Sequence, residues 1–392
     1  KETKEEKFRL KNRYTEHQEA MITFQQSLYR ITRLLANIPT YMMFDDHDIT
    51  DDWNISYMWK ENVKNSPLGS HVVANGLAAY WAFQGWGNAP ESFDDRFHWL
   101  MKAYFQMLTI GKMEEYHEEW KKTLWDFDSW HFVAPTNPKA VFLDTRTQRE
   151  YDTEPRPEKF GQLFEETVWA PHLLSKKGWE NVTSSLFNSG WNSGSHLILV
   201  SPTPLYGMGL IESFIHDYVY PLQVLGVNVH TKVDFEAWKY NGKGFTEFLH
   251  RAASWNPNRC IILSGDVHYA SAVKADISFK DGRILTINQF TSSPLKNMSF
   301  GGVWGLLMKQ IMALNALKRK NNRIYRLCTS SYFIKKVEKE NQTNTYLWKD
   351  QVSYQLLENN SIIETNNNLG FLKIRKRSLK NYLLNHNHKF LQ

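Results

Sequence analysis

The chain has 392 residues, of which 42% are hydrophobic, 22% charged and 14% aromatic, with a formal net charge of +6. This balance is that of an ordinary globular protein, long enough for one large domain or two smaller ones. Cys260 and Cys328 stand far apart and no C-x-x-C occurs, which argues against a thiolate zinc site and a disulfide framework. No apolar run reaches the length of a membrane span.

The charge is uneven. From Gly301 onward there are 16 Lys and Arg against 5 Asp and Glu, which leaves 31 against 36 for residues 1–300. A solvated basic surface is the plain reading of such a diffuse surplus, and contact with nucleic acid or anionic lipid the sharper one.

In chain order, Glu2 to Asn37 has helical spacing of its apolar residues, and Pro39 ends the pattern. "TYMMF" (Thr40–Phe44) reads as a short strand buried on both faces. The acidic stretch "DDHDITDDW" follows it at once. "PLGSHVVANGLAAYWAFQGW" (Pro67–Trp86) predicts a helix opened by proline, and Pro90–Leu108 predicts another. "KAVFLDTRTQRE", "SHLILVSPTPLYG" and "NRCIILSGDVHYASAV" each read as a buried strand that ends in polar or charged residues. Phe245–Ser254 is a short amphipathic helix. Ala275–Pro294 alternates around an Asp-Gly turn, the pattern of an antiparallel hairpin. Gly301–Leu317 reads as an amphipathic or buried helix. Further on, "TYLWK", "VSYQLLE" and "LGFLKIRKR" alternate like edge strands of a β-rich appendage.

The strand ends carry the functional signal. In open α/β sheets, sites form beyond the carboxyl ends of the strands. Here those ends carry Asp46 with His47, Asp144 with Arg146 and Arg149, and Asp266 with His268. Carboxylate and imidazole donors at such places suit hard or borderline metal ions. Asp266 and His268 stand two apart and project to one side if extended. Blander readings compete. Asp51 and Asp52 are better taken as capping residues. Arg146 and Arg149 serve equally well as phosphate clamps or as ion-pair partners of Asp144 or Glu150. Tyr269 lines a pocket or packs, and packing is favoured. Most Trp residues between 53 and 99 belong to a core. His71, His98 and His117 read as surface or satisfied histidines without partners.

"FDDHDITDDWN" together with "LSGDVHYA" resembles the PhoD-like (alkaline phosphatase D) branch of the calcineurin-like metallophosphoesterases. "VANGLAAYWAFQGWGN", "FLDTRTQRE", "VSPTPLYG", "FTSSPLKN" and "NNLG" occur in the matching order, so the likeness covers roughly residues 34–297. It implies an α/β fold, a two-sheet sandwich layered α/β/β/α. It implies two divalent or trivalent metal ions of the Fe, Zn, Mn or Ca type. Asp46 and His268 correspond to metal ligands, Asp266 to a ligand or a group behind one, and His47 to the residue that assists the leaving group. Arg146 is carried as catalytic, Arg149 and Tyr269 as substrate-binding. The family's opening strand and its bridging Gly-Asp segment have no counterpart in residues 1–40, so the resemblance implies that these N-terminal strands are missing from the chain as read.

The resulting expectation is a truncated metallophosphoesterase domain over residues 1–300 and a basic, β-rich extension over 301–392. The expected activity is hydrolysis of a small phosphate mono- or diester. A catalytically incomplete binding or scaffold module is the alternative. The cytoplasm is the favoured compartment, or secretion if a signal precedes Lys1.

Overall fold

The computed structural model describes residues 4–50, 52–112, 114–152, 156–160, 164–168, 171–207, 238, 241–267, 269–293, 323–338, 345–357, 361–364, 366–375, 378–385 and 390–391. It divides into two compact units, residues 1–42 and 43–392. The first is built on α1 (Lys4–Asn37), a 34-residue helix with no buried residue.

The second unit opens with a helical layer. α2 (Tyr57–Asn65) begins at Ser56, whose hydroxyl accepts from the Trp59 N–H at 3.2 Å. α3 (Pro67–Tyr80) begins in the same way, with Ser66 accepting from Gly69 N–H and Pro67 in the first turn, a position where a missing N–H costs nothing. α3 runs through one π turn (Trp81–Gly85) into α4 (Trp86–Asn88). α5 (Asp95–Thr109) and α6 (His117–Asp126) complete the layer. Phe44, Trp53, Tyr80, Trp81, Phe97, Trp120 and Trp130 fill its core. The core reading therefore holds for Trp53 and Trp81, whereas Trp86 and Trp99 are half exposed.

Thr40–Phe44 is not a strand. No described strand pairs with it. Phe44 alone is fully buried, edge-on to Trp53, Tyr80 and Trp130 at centroid distances of 5.3, 4.7 and 6.0 Å. A short apolar run signals burial, and an aromatic cluster supplies that as well as a sheet does.

The remaining chain alternates strands and helices. β1 (Phe132–Ala134) and β2 (Lys139–Phe142) pair antiparallel, as do β3 (Arg156–Phe160) and β4 (Phe164–Val168). α7 (Lys176–Asn188), β5 (His196–Ser201), α8 (Gly242–Trp255) and β6 (Arg259–Ser264) follow. β7 (Ser271–Phe279) and β8 (Ile284–Thr291) form the expected hairpin, with Ser278 opposite Ile284. β9 (Arg323–Cys328), β10 (Ile334–Val337), β11 (Trp348–Tyr354), β12 (Asn368–Arg375), β13 (Ser378–Asn385) and β14 (Phe390–Leu391) lie beyond.

The fold is mixed α/β around one large mixed sheet. Its order is β1-β2-β5-β6-β8-β7-β11-β9-β10. β2, β5, β6 and β8 are mutually parallel, and the β7 side is antiparallel. α7 and α8 cover one face, where Trp179, Leu186, Phe245, Phe248 and Leu249 join Leu197, Leu199, Ile262 and Ile287 in a dry core. β12, β13 and β14 make a separate three-stranded sheet. Among the described residues there is thus one large sheet, and a second large one facing it is not seen.

Residue 300 does not mark a boundary in the sheet. β9, β10 and β11 are strands of the main sheet, and β11 lies inside it between β7 and β9, not at an edge. Its Asp350 is buried yet paired, accepting from Arg326 Nε at 3.1 Å and from Nη2 at 2.5 Å. The Arg326 guanidinium lies 5.1 Å from the Tyr206 ring centroid and 5.3 Å from that of Phe245. The alternation in this segment was real, but alternation does not say how many neighbours a strand has. The predicted helix at Gly301–Leu317 lies outside the described residues. No described helix is long and apolar enough to cross a membrane.

Candidate active site

The carboxyl ends of the four parallel strands line up. Phe142 is level with Val200, Ser201 with Ser264, and Ser264 with Thr291. The ladder continues just past them, with Leu143 N–H donating to Val200 O at 2.9 Å, Gly265 N–H to Pro202 O at 3.1 Å and Ser292 N–H to Ser264 O at 3.2 Å. The loops leaving this edge therefore start from a fixed platform.

Past β6 the chain reverses tightly. Val267 N–H donates to Gly265 O at 2.8 Å, and Asp266 between them has φ of 68°. An i to i+2 hydrogen bond around a positive φ is a strained γ-turn, tolerated by Asp better than by most residues. The turn presents the Asp266 carboxylate to Asp45 and Asp46. One oxygen from each of the three lies within 4.8 Å of the others.

Asp45 and Asp46 come from the acidic stretch, which folds as a single 3-10 turn (Asp46–Asp48). Asp46 is buried. Its Oδ1 accepts from His47 N–H at 2.8 Å and its Oδ2 from Asp52 N–H at 3.0 Å. Asp48 accepts from the Asp45 N–H at 2.9 Å. Ile49 packs over Gly76 of α3, where a Cβ would lie 2.8 Å from the Ile49 side chain. Glycine is required there for the acidic turn to lie this close to the helix.

Two arginines fasten this turn to the loop after β2. The Arg146 side chain is fully buried. Its Nε donates to Asp45 Oδ1 at 2.5 Å, Nη2 also meets Asp45 and lies 3.4 Å from Asp46 Oδ1, and Nη1 donates to the Trp53 carbonyl at 3.2 Å. Asn54 Nδ2 returns a bond to the Arg146 carbonyl at 3.0 Å. Arg149 donates to the carbonyls of Thr145 at 2.7 Å and Asn54 at 2.9 Å. The Tyr151 hydroxyl adds a 2.6 Å bond to Asn54 O. Both arginines are thus buried and turned to protein oxygens. Arg146 ion-pairs with Asp45 and lies near Asp46, and the Arg149 charge acts on Asp144.

Asp144 has no exposed surface. It accepts from the backbone N–H groups of Arg146 at 3.1 Å and Thr147 at 2.8 Å, and from the Thr147 hydroxyl. Burial pushes its carboxyl above the ordinary value, against the pull of those bonds and of the Arg149 charge.

The other expected site residues fall as follows. His47 is exposed beside Asp46. Tyr269 is partly buried against the sheet core, as its packing reading holds. His268 and Asp51 lie outside the described residues. Asp52 adopts φ of 63° and gives its N–H to Asp46, a bracing role and not a helix cap. Asp45 was not singled out by sequence, because an Asp-Asp pair in a turn leaves open which carboxylate faces the cleft.

The donor set fits a metal ion. Three carboxylates within 4.8 Å repel one another by about 3–4 kcal/mol or more per pair at an effective dielectric of about 20. One guanidinium offsets only part of this. Hard oxygen donors of this kind match Mn²⁺, Ca²⁺, Mg²⁺ or an iron ion. Three ligands suffice for one ion, and a second needs further donors.

No family model matches the chain, and no curated protein matches it. A solved structure described as "Structure of PhoD" aligns at a TM-score of 0.37 and 12% identity, over 89% of this chain and 53% of that chain. This chain therefore spans about half the length of that one.

Two outcomes test this geometry. Arg146→Ala leaves two carboxylates facing each other without a counter-charge, so urea unfolding with chelator present should show a loss of about 3–5 kcal/mol. Arg146→Lys should recover little of it, since the forked contact is lost. A phosphate clamp would leave stability unchanged. The second concerns pH. The folded Asp144 holds its proton more tightly than the unfolded group with its value near 3.8. Its contribution to stability is complete below that value and is lost as pH rises through the raised one. Asp144→Asn lacks this loss. Its stability relative to the unmodified chain should rise with pH across that window, as read by thermal unfolding in chelator.

Proposed function

We propose that the chain is a metal-dependent phosphoesterase, acting on a small phosphate mono- or diester. The observation that carries this is the convergence of Asp45, Asp46 and Asp266, from two distant segments, at the carboxyl edge of a parallel sheet. The motif likeness adds to it. "FDDHD" and "SGDVH" supply the converging carboxylates.

In this reading Asp45, Asp46 and Asp266 would hold an ion, with His268 as a further ligand of a two-metal site. When bound, such an ion would supply Lewis acidity toward phosphate oxygens and make a water beside it more acidic. The chain's own residues do the rest. Arg146 holds Asp45 and Asp46 in a fixed relation, so neither carboxylate has to reorganise when the substrate arrives. The His47 and Asp52 amides hold the two oxygens of Asp46. The exposed His47 imidazole, next to that ligand, delivers a proton to the leaving oxygen. The two-sheet sandwich of the family belongs to the same proposal.

The test is hydrolysis of an aryl phosphate and an aryl phosphodiester with Mn²⁺, Zn²⁺, Ca²⁺ or Fe³⁺, alongside metal content. His47→Ala should lower kcat by about 10²–10⁴ with metal content unchanged, and Asp46→Asn should lose both metal and turnover. Turnover by neither ester with any ion, or His47→Ala turning over at the full rate, overturns the proposal.

A further inference from the structure

Away from the acidic cluster, two histidines meet across helices. His71 on α3 and His117 on α6 approach with Nδ1 of His71 3.0 Å from Nε2 of His117. Their ring centroids are 5.1 Å apart and their planes inclined by 48°. They were read from sequence as unpartnered, and a 46-residue separation hides the pairing. The two helices are held in this relation by other means. Trp125 Nε1 of α6 donates to the Ser70 carbonyl of α3 at 3.0 Å, and Trp120 and Leu124 share a core with Val73, Ala74 and Leu77. Both residues are partly buried.

The far nitrogen of each ring is also engaged. Nε2 of His71 lies 3.0 Å from the Asn75 amide, and Nδ1 of His117 lies 3.3 Å from Glu118 Oε1. A carboxylate or amide on the far nitrogen, fixing the ring while the near nitrogen faces its target, is the outer arrangement of metal-ligating histidines. The amide of Asn75 can turn to accept from Nε2–H, because its oxygen and nitrogen are interchangeable by a flip. Glu118 also meets Lys121 at 2.8 Å, so its charge is shared.

The spacing is right for an ion. A cation about 2.0–2.1 Å from each nitrogen spans the 3.0 Å gap at an angle of about 95°. That angle suits a tetragonal ion directly, and opening the gap by a few tenths of an ångström suits a tetrahedral one. Imidazole donors with open positions select Cu²⁺, Ni²⁺ or Zn²⁺ over the hard cations that carboxylates favour.

We propose that His71 and His117 form a binding site for a borderline transition-metal ion, Cu²⁺, Ni²⁺ or Zn²⁺. Water completes the coordination, and the ion clips α3 to α6. This site does not depend on the phosphoesterase reading.

The test adds one equivalent of Cu²⁺ to the full chain at neutral pH and reads the electron paramagnetic resonance spectrum for nitrogen coupling. Zn²⁺ then competes for the same site. The unmodified chain and Asp266→Asn should both show copper bound by two imidazole nitrogens, displaced by Zn²⁺. His71→Ala and His117→Ala, checked for folding by circular dichroism, should each lose that signal. Zn²⁺ should raise the melting temperature of Asp266→Asn, which lacks the acidic site, and not that of Asp266→Asn carrying His71→Ala or His117→Ala. A copper spectrum with oxygen donors alone in the unmodified chain overturns the proposal, whatever the variants do. So does a two-nitrogen spectrum that survives in both folded histidine variants.

Discussion

The guanidinium of Arg146, locked against Asp45 and Asp46, is the contact on which the site depends. Two adjacent carboxylates in a tight turn repel each other, and an extended chain would point them to opposite sides. A buried fork that meets both turns this repulsion into a defined arrangement. The cost of burying Arg146 is met by the Trp53 carbonyl and by the return bond from Asn54. The acidic turn and the loop after β2 therefore fold as one piece, although 101 residues separate Asp45 from Arg146.

The sheet supplies the third carboxylate. Parallel strands in register end at one level, and the loops that leave them share an edge. Asp266 reaches the cluster through a strained turn, which persists because the ladder before it and β7 after it hold both ends. The same edge receives the far end of the chain. Ala270 and Glu364 exchange backbone hydrogen bonds at 2.7 and 3.0 Å, and the Asn368 amide donates to Ser293 Oγ at 2.8 Å. Gly370 permits that approach, since a Cβ there would stand 2.3 Å from Ser292 Oγ. Ser292 and Ser293 of one motif thus meet Asn368 and Gly370 of another far along the chain.

Much of this was legible in the residues. Proline marked the helix start at Pro67, the Asp-Gly turn marked the β7–β8 hairpin, and polar strand ends marked the edge that carries the site. What escaped had physical reasons. Thr40–Phe44 satisfies its apolar character in an aromatic cluster, so its composition did not reveal the missing strand partner. β11 alternates because one face meets α8, and that period is the same for an edge and an interior strand. Arg146 reads from sequence equally as a phosphate ligand or an ion-pair partner, and its buried contact with Asp45 and Asp46 comes from packing across 101 residues. The His71–His117 pair depends on how α3 crosses α6, which no local pattern encodes.

Whether Asp45, Asp46 and Asp266 together hold a metal ion is read most directly from crystals grown with Mn²⁺ and measured at the manganese absorption edge. An anomalous peak bounded by those three carboxylates is expected, and its loss in crystals of Asp266→Asn. Crystals with manganese elsewhere and none among the three carboxylates would contradict it.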